Sequence, residues 1–515
     1  MGPFSPARVH HVAHRERGTL SGLTHRALIG WVAIAVAALC GLATPAGSQA
    51  ARIIVLERDG RAIMTNNPFV PAVTPTPAPS PPGVASAARA GPRAQVPDRN
   101  VRTELTRLRR IHAISTAAYR SYLTSLNLAL RTVSRLRGTR AAELEAVIEN
   151  LHNIAARGLL TPSRLPALFL TLTRNRQWWT TGPLLSADQR VQFAGSGIVW
   201  EYYPGQGIEL QVLGSFSSAQ AQCASGQPRL YAQCSALLSE LVPLAAHRAG
   251  GLTWEYYFDF DGGLPPWTSA MSQGTALQAL ADAYKALADP FYLTIGSQAL
   301  AAFTVAPATG VAIGTSVGER YVQYTFDAGR QDEVINAFLQ SLIGLDDYAQ
   351  TSKNPIAARL FAVGTAEAQA ELPQFDTGAW SLYQPGIEDD LSYHELVTGF
   401  LQQLCAMTKT NVYCTTATHF EQYLKTPPAL QLLTARLKAR RPSTVNFWVS
   451  KISRVGITVL RGAKTLFLTS ADFPFGRHTF EIAALRTPGT YTVRLDATDL
   501  AGNYSQTEGN VRVSQ

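Results

Sequence analysis

The spacing of apolar residues changes once along this chain, and that change limits the folds open to it. From Val101 to about Arg441, apolar side chains recur three and four positions apart, as in Leu105, Leu108, Ile111, Ile114 and Ala118. That spacing lines one face of a helix. After Arg441 the period falls to two, in short segments bounded by turn residues, which is the signature of strands. A chain of 515 residues exceeds one ordinary core, so a helical part followed by an all-β part is expected.

Helices are predicted over Val101–Arg137, Ala141–Ala156 with Gly158 as its stop, Pro166–Thr173, Pro228–His247, Met271–Leu287, Gln331–Leu345, Ile356–Glu371 and Tyr393–Ala406. Between them lie aromatic, Gly- and Pro-rich stretches such as VQFAGSGIVWEYYPGQGIELQ and GLTWEYYFDFDGGLPPW, read as β-like loops. Strands are predicted over Val445–Val449, Val455–Leu460, Thr465–Thr469, Arg477–Ala483, Gly489–Ala497 and Asn510–Val513. The expected fold class is mainly α: an α/α toroid-type helical domain with aromatic β-like loops, plus a C-terminal all-β immunoglobulin-like sandwich. The sandwich would serve either as a glycan- or wall-binding module or as a spacer packed on the helices.

The N-terminus reads as a targeting segment. Arg8, Arg15, Arg17 and Arg26 precede an apolar run from Ala27 to Ala43, and small residues then lead to Ser48-Gln49-Ala50. Basic, apolar and small in that order describe a secretory signal over 1–50, cleaved after Ala50 or kept as an anchor, and imply a secreted or cell-surface protein. Residues 51–98 read as a linker, because Pro, Ala and Ser dominate from Asn66 to Pro97 and cannot bury a core. Boundaries then follow at 99–190 for a helical N-terminal region, 191–440 for the main helical domain and 441–515 for the sandwich.

The formal net charge of +9 sits in the leader (+3) and in residues 51–110 (+6), leaving the chain neutral from Ile111 on. The basic linker is either a solvated flexible arm or a contact for an anionic membrane surface or wall polymer, and the core carries no nucleic-acid footprint. Beyond the leader four cysteines remain: Cys223 with Cys234 and Cys405 with Cys414 read as two local disulfides, among the three connectivities that four cysteines allow. Neither pair has the spacing of a zinc site, and no metal is expected.

Four stretches carry a family likeness. They are WTSAMSQG (Trp267–Gly274), RYVQYTFD followed by VINAFLQSLIGLDDY (Arg320–Tyr348), LPQFDTGAWSLY (Leu372–Tyr383) and LSYHELVTGFLQQL (Leu391–Leu404), with a fainter echo in EYYPGQGIELQ (Glu201–Gln211). Their order and spacing resemble the C-terminal domain of the D-glucuronyl C5-epimerases, which act on heparan-type glycans. The resemblance implies a uronic-acid-containing glycan as substrate, no cofactor, and a tendency to dimerise. It implies Tyr324, Tyr383 and Tyr393 as the acid–base residues. It further implies substrate contacts from His394, which would orient the carboxylate, and from Asn336. Gln323 stands where the family tends to have Glu.

The chemistry accounts for such residues. Inverting C5 of a uronic acid removes a proton next to a carboxylate and returns one to the opposite face, so two acid–base groups must flank the ring. Charge building on the carboxylate needs stabilising. Tyrosine serves as base only if its pKa, near 10 in water, is lowered by cations or donors. The family places an Arg three residues after its counterpart of Tyr383; Gly386 stands here, followed by the acidic run Glu388-Asp389-Asp390. Arg320, beside Tyr321 and Tyr324, is the candidate replacement cation. Trp267 is either a sugar platform or structural, and Asp376 reads as a turn residue. Two other readings stay open: a lyase or hydrolase, with Asp259, Asp261 and the acidic run as carboxylates, and a non-catalytic glycan- or wall-binding protein.

Overall fold

The computed structural model describes residues 50–71, 100–326 and 333–515. The proposed signal segment and the Pro-rich part of the linker lie outside the described residues.

Residues 50–71 are not linker. Ala50–Leu56 (β1) and Ala62–Pro71 (β2) form an antiparallel hairpin, and β1 pairs in parallel with Arg190–Phe193 (β3). With Trp200–Tyr203 (β4) and Gly207–Leu210 (β5) the sheet runs β2-β1-β3-β4-β5. Ala51, Ile53 and Val70 bury against Val199. The strand signal was present in the β-branched run Ile53-Ile54-Val55, but the proline tract downstream outweighed it.

Helices Val101–Arg110 (α1), Thr116–Val133 (α2), Thr139–Ala156 (α3) and Leu165–Thr181 (α4) pack as a bundle, with α3 and α4 also touching β5. The single helix expected over 101–137 is two. Asn100 closes the N-terminus of α1 with a capping box, while the Ser115 side chain accepts from Ala118 N and starts α2.

Four helical hairpins follow. They are Val212–Cys223 (α5) with Pro228–Leu241 (α6), Ala270–Leu287 (α7) with Pro290–Ala299 (α8), Ile335–Ser352 (α9) with Pro355–Glu371 (α10), and Leu391–Thr408 (α11) with Asn411–Tyr423 (α12). The first helix of each hairpin packs on the first helix of the next, so α5, α7, α9 and α11 form an inner row and their partners lie outside. A toroid was expected here; the contacts among the described residues give the row α5-α7-α9-α11. Helices α5, α8 and α12 had no assignment from sequence. The hairpin turns use strong stops: Ala288, Lys353 and Lys409 are left-handed, and Asp289 and Asn354 then cap the next helix ahead of a proline. Disulfides Cys223–Cys234 and Cys405–Cys414 staple the first and last hairpins.

Helices α7 and α9 are buried over most of their surface, which demands apolar residues nearly all round. They cross where Gly274 meets Gly344. A Cβ at Gly344 would collide with the Gly274 carbonyl oxygen, and one at Gly274 would lie 2.5 Å from Ser341 Cα.

Short β-hairpins lead into the inner helices. Ala246–Arg248 (β6) and Gly251–Thr253 (β7) precede α7, Ala312–Gly314 (β8) and Glu319–Tyr321 (β9) precede α9, and Leu382–Gln384 (β10) and Ile387–Glu388 (β11) precede α11. The loops therefore gather at the N-terminal ends of the inner row.

The C-terminal β-module begins before the expected boundary, at Leu430–Leu432 (β12) and Arg436–Lys438 (β13). It continues with Ser443–Val449 (β14), Ser453–Arg461 (β15), Lys464–Phe473 (β16), Gly476–Ile482 (β17), Gly489–Asp499 (β18) and Tyr504–Ser514 (β19). Sheets β12-β14-β17 and β13-β19-β18-β15-β16 enclose one core that includes Phe447, Ile457 and Val493. The inward residues alternate along β14 and β18, as the period of two requires.

Candidate active site

Three loops bring three tyrosines together. Tyr324 lies between β9 and α9, Tyr383 on β10, and Tyr393 in the first turn of α11, whose N-terminus Asp390 caps by accepting from Tyr393 N at 2.8 Å. The Tyr383 and Tyr393 ring centroids are 5.1 Å apart, and all three residues are half-buried. Gln323 hydrogen-bonds the Tyr324 phenol and accepts from Ser269 Oγ at 3.3 Å, at the cap of α7.

The electrostatics run opposite to expectation. Burial, with the Tyr324 and Tyr393 phenols and Asp389 adding to it, holds the Tyr383 phenol far above the usual tyrosine range. Burial and Tyr393 do the same to Tyr324. Burial, then Asp390 and Asp389, raises Tyr393, against a downward pull from Arg190. Without substrate the three phenols are therefore neutral.

Several expected substrate contacts are placed elsewhere. Arg320 is buried in an ion pair with Glu371, at the end of α10, with Glu333 at 3.9 Å. Trp267 is only 4% exposed and stacks on Tyr256 at 4.2 Å inside a cluster with Phe258, Phe260 and Phe326, so it is core rather than an open platform. Asn336, 2% exposed in the first turn of α9, is closed to solvent. Gly386 sits at φ +82° in the turn Gln384-Pro385-Gly386-Ile387, a conformation that favours Gly and strains an Arg.

His394 is fully buried and belongs to the framework. Its ring stacks on Trp380 at 3.8 Å, Nε2 lies 2.9 Å from the Phe420 carbonyl oxygen, and Nδ1 lies 2.7 Å from Ser381 Oγ. Burial depresses its pKa to about 4, so the ring is neutral. A carbonyl only accepts, so Nε2 carries the proton and Nδ1 must accept from Ser381. Ser381 N also donates to Nδ1, at 3.3 Å, and Ser381 Oγ donates to Asp389 Oδ2 at 2.5 Å. Burial pushes the Asp389 pKa up to about 7 against that hydrogen bond, with Asp390 and Glu388 adding to the rise. The chain Asp389–Ser381–His394–Phe420 O joins the residues flanking Tyr383 and Tyr393.

The sign of the pH effect follows. Asp389 has a folded pKa above its unfolded value, so its contribution is intact below about pH 4 and is lost as pH rises toward 7. We expect Asp389→Asn to flatten the decline of unfolding free energy over that window by up to about 1.4 kcal/mol per pH unit, read from denaturant midpoints. An unchanged slope would remove Asp389 from the chain.

The acidic run is spent on the framework. Glu388 accepts from Ile452 N and Phe475 N of the β-module, Asp389 is buried, and Asp390 caps α11. Sequence reasoning missed the support beneath the tyrosines. Arg190 Nε donates to Glu201 Oε2 at 2.9 Å, and Gln211 Nε2 donates to the same oxygen at 3.3 Å. Tyr256 OH lies 3.3 Å from Gln211 Oε1 and 2.7 Å from Ser272 Oγ, and burial pushes its phenol up to about 12. Glu201 and Gln211 bound the faint echo noted above, which was the available signal.

Residues 250–422 match the family model described as the D-glucuronyl C5-epimerase C-terminus. This segment resembles the D-glucuronyl C5-epimerases. It holds all three tyrosines. The D-glucuronyl C5-epimerase of Caenorhabditis elegans is 30% identical over 182 residues, covering 31% of this chain and 29% of that protein. An uncharacterized protein of Methanocaldococcus jannaschii is 27% identical over 137 residues, covering 26% of this chain and 44% of that one. The chain thus spans less than half the length of these relatives. Among solved structures, a sugar epimerase from a ruminal bacterium aligns with a TM-score of 0.30 at 13% identity, over 42% of this chain and 58% of that one. Cellobiose 2-epimerase from Bacillus thermoamylovorans aligns with 0.34 at 9%, over 56% and 75%. Scores this low carry no argument beside the epimerase-like sequence match.

Proposed function

We propose that this protein is an exported carbohydrate epimerase that inverts C5 of a uronic acid within an extracellular or wall polysaccharide. The observation that carries the reading is the meeting of Tyr324, Tyr383 and Tyr393, from three separate loops, within the epimerase-like segment. One phenol would take the C5 proton while another returns one to the opposite face. A phenol this far above its usual pKa keeps its proton at neutral pH, so it is available as an acid though a weak one, and its strongly basic phenolate is scarce. The cluster can ease the phenolate's formation, because one formed at Tyr383 has the Tyr324 hydroxyl within hydrogen-bonding reach as a donor, and charge-assisted hydrogen bonds are the strong ones. Export fits two disulfides in a chain that opens with a signal-like segment. The mass of the mature chain tests cleavage after Ala50, since a full-length mass excludes it.

The Gly386 turn and the neutral phenols favour a second reading, a glycan-binding site without chemistry. Incubation with uronic-acid glycans in deuterated water separates the two. We expect deuterium at C5 with chain length unchanged. An ultraviolet-absorbing unsaturated product would mean a lyase, and new reducing ends a hydrolase. Ligand-dependent thermal stabilisation without isotope uptake would leave only the binding role.

A further inference from the structure

We propose that the C-terminal β-module is part of the machinery that positions the tyrosine site, with Lys451 as its positioning residue. This rests on the reading of Tyr383 and Tyr393 as the reacting groups. Lys451 lies between β14 and β15 and is 1% exposed. An ammonium has three protons, and here each has an acceptor: the Tyr423 carbonyl at 2.7 Å, the Thr426 carbonyl at 2.5 Å and Asp499 Oδ2 at 2.6 Å. Two of those acceptors belong to the end of the helical domain and one to the module. The ammonium also sits 5.1 Å above the Trp380 ring.

Trp380 leads directly to the site. Its Nε1 donates to the Asp389 carbonyl at 2.8 Å and its other contact is the stacked His394 ring, next in sequence to Tyr393. Ser381, next to Trp380, closes the chain to His394 and Asp389. A second tie lies on the Tyr383 hairpin itself. Glu388, paired with Leu382 across β10 and β11, accepts from Ile452 N at 2.9 Å and from Phe475 N at 2.6 Å. A third joins Asn503 Nδ2 to the Leu424 carbonyl at 2.9 Å. A spacer needs only apolar contact and a flexible joint. Burying an ammonium at the joint is costly unless every proton is satisfied, so this junction holds one geometry. The module therefore holds the segment that joins Tyr383 to Tyr393 at Glu388, and reaches its base through Lys451 on Trp380.

The test uses the full chain labelled with 3-fluorotyrosine, with the Tyr383 and Tyr393 fluorine resonances assigned from their Phe variants. Lys451→Met alone strands Asp499, so the working variant is Lys451→Met with Asp499→Asn, which removes both charges and keeps an acceptor for Asn503. Glu388→Gln is a second, independent variant should the first fail to fold. We expect the Tyr383 and Tyr393 resonances to move, Tyr491 in the module core to stay, and kcat for C5 exchange to fall by about 10²-fold with KM retained. A merely structural junction predicts that a variant with the parental Tm keeps its fluorine spectrum and its kcat, and that result overturns the proposal. If the parent shows no C5 exchange, the epimerase reading fails, and the fluorine spectra still decide whether the module sets the tyrosines.

Discussion

Tyr383→Phe is expected to lower the rate of C5 deuterium exchange by about 10²- to 10⁴-fold, the range lost when a positioned acid or base is removed. The substitution deletes one oxygen and keeps the ring, so the 5.1 Å packing with Tyr393 survives and Tm should stay nearly constant. Tyr393→Phe should cost a similar factor. The double variant should cost far less than the product of the two, because groups that act as a unit do not add. Exchange in the parent should also rise with pH through the neutral range, since the base is a phenol held above its usual pKa and its reactive form grows up to tenfold per unit below that pKa. Parental rates in both single variants would end the tyrosine assignment.

Gly344→Ala is expected to be the most damaging single methyl in the helical row. The new Cβ would meet the Gly274 carbonyl oxygen, which is backbone and cannot swing aside as a side chain would. Helices α7 and α9 would have to separate, opening a row buried on almost every side. Overpacking of a tight core costs 1–3 kcal/mol and sometimes more, and a backbone collision belongs at or above about 3 kcal/mol. Urea midpoints would register this, and Gly274→Ala should behave alike. A loss below about 1 kcal/mol would mean that the crossing is looser than described. Because Ser269 caps α7 beside Gln323 and Tyr324 lies just before α9, the same change should disturb the tyrosine cluster.

Much of this was legible in the sequence and some was not, for physical reasons. The change of period after Arg441 marked the β-module, since alternation survives wherever one strand face is buried. Helices with a clear cap and stop, such as α10 between Asn354 and Glu371, were readable to within a residue or two. The strands over residues 50–71 were not read, because the proline tract after them outweighed the β-branched run Ile53-Ile54-Val55. The meeting of Tyr324, Tyr383 and Tyr393 was expected from the motifs. Their neutral state was not, because spacing carries no information on burial. Arg320 illustrates the limit: adjacency to Tyr321 and Tyr324 suggested a cation for the site, while its ion pair is with Glu371, 51 residues further on, which adjacency cannot reveal. His394 was placed at the substrate by the family resemblance, and the stacked Trp380 and the Phe420 carbonyl hold it instead.

The two disulfides fall in the first and last of the four helical hairpins, and the middle two have none. Each cross-link ties an outer helix to an inner one and closes a short loop, worth about 3 kcal/mol through the unfolded chain. Reduction is therefore expected to lower the stability of these two hairpins more than that of the middle two, and at Cys405–Cys414 the inner helix concerned is the one that carries Tyr393.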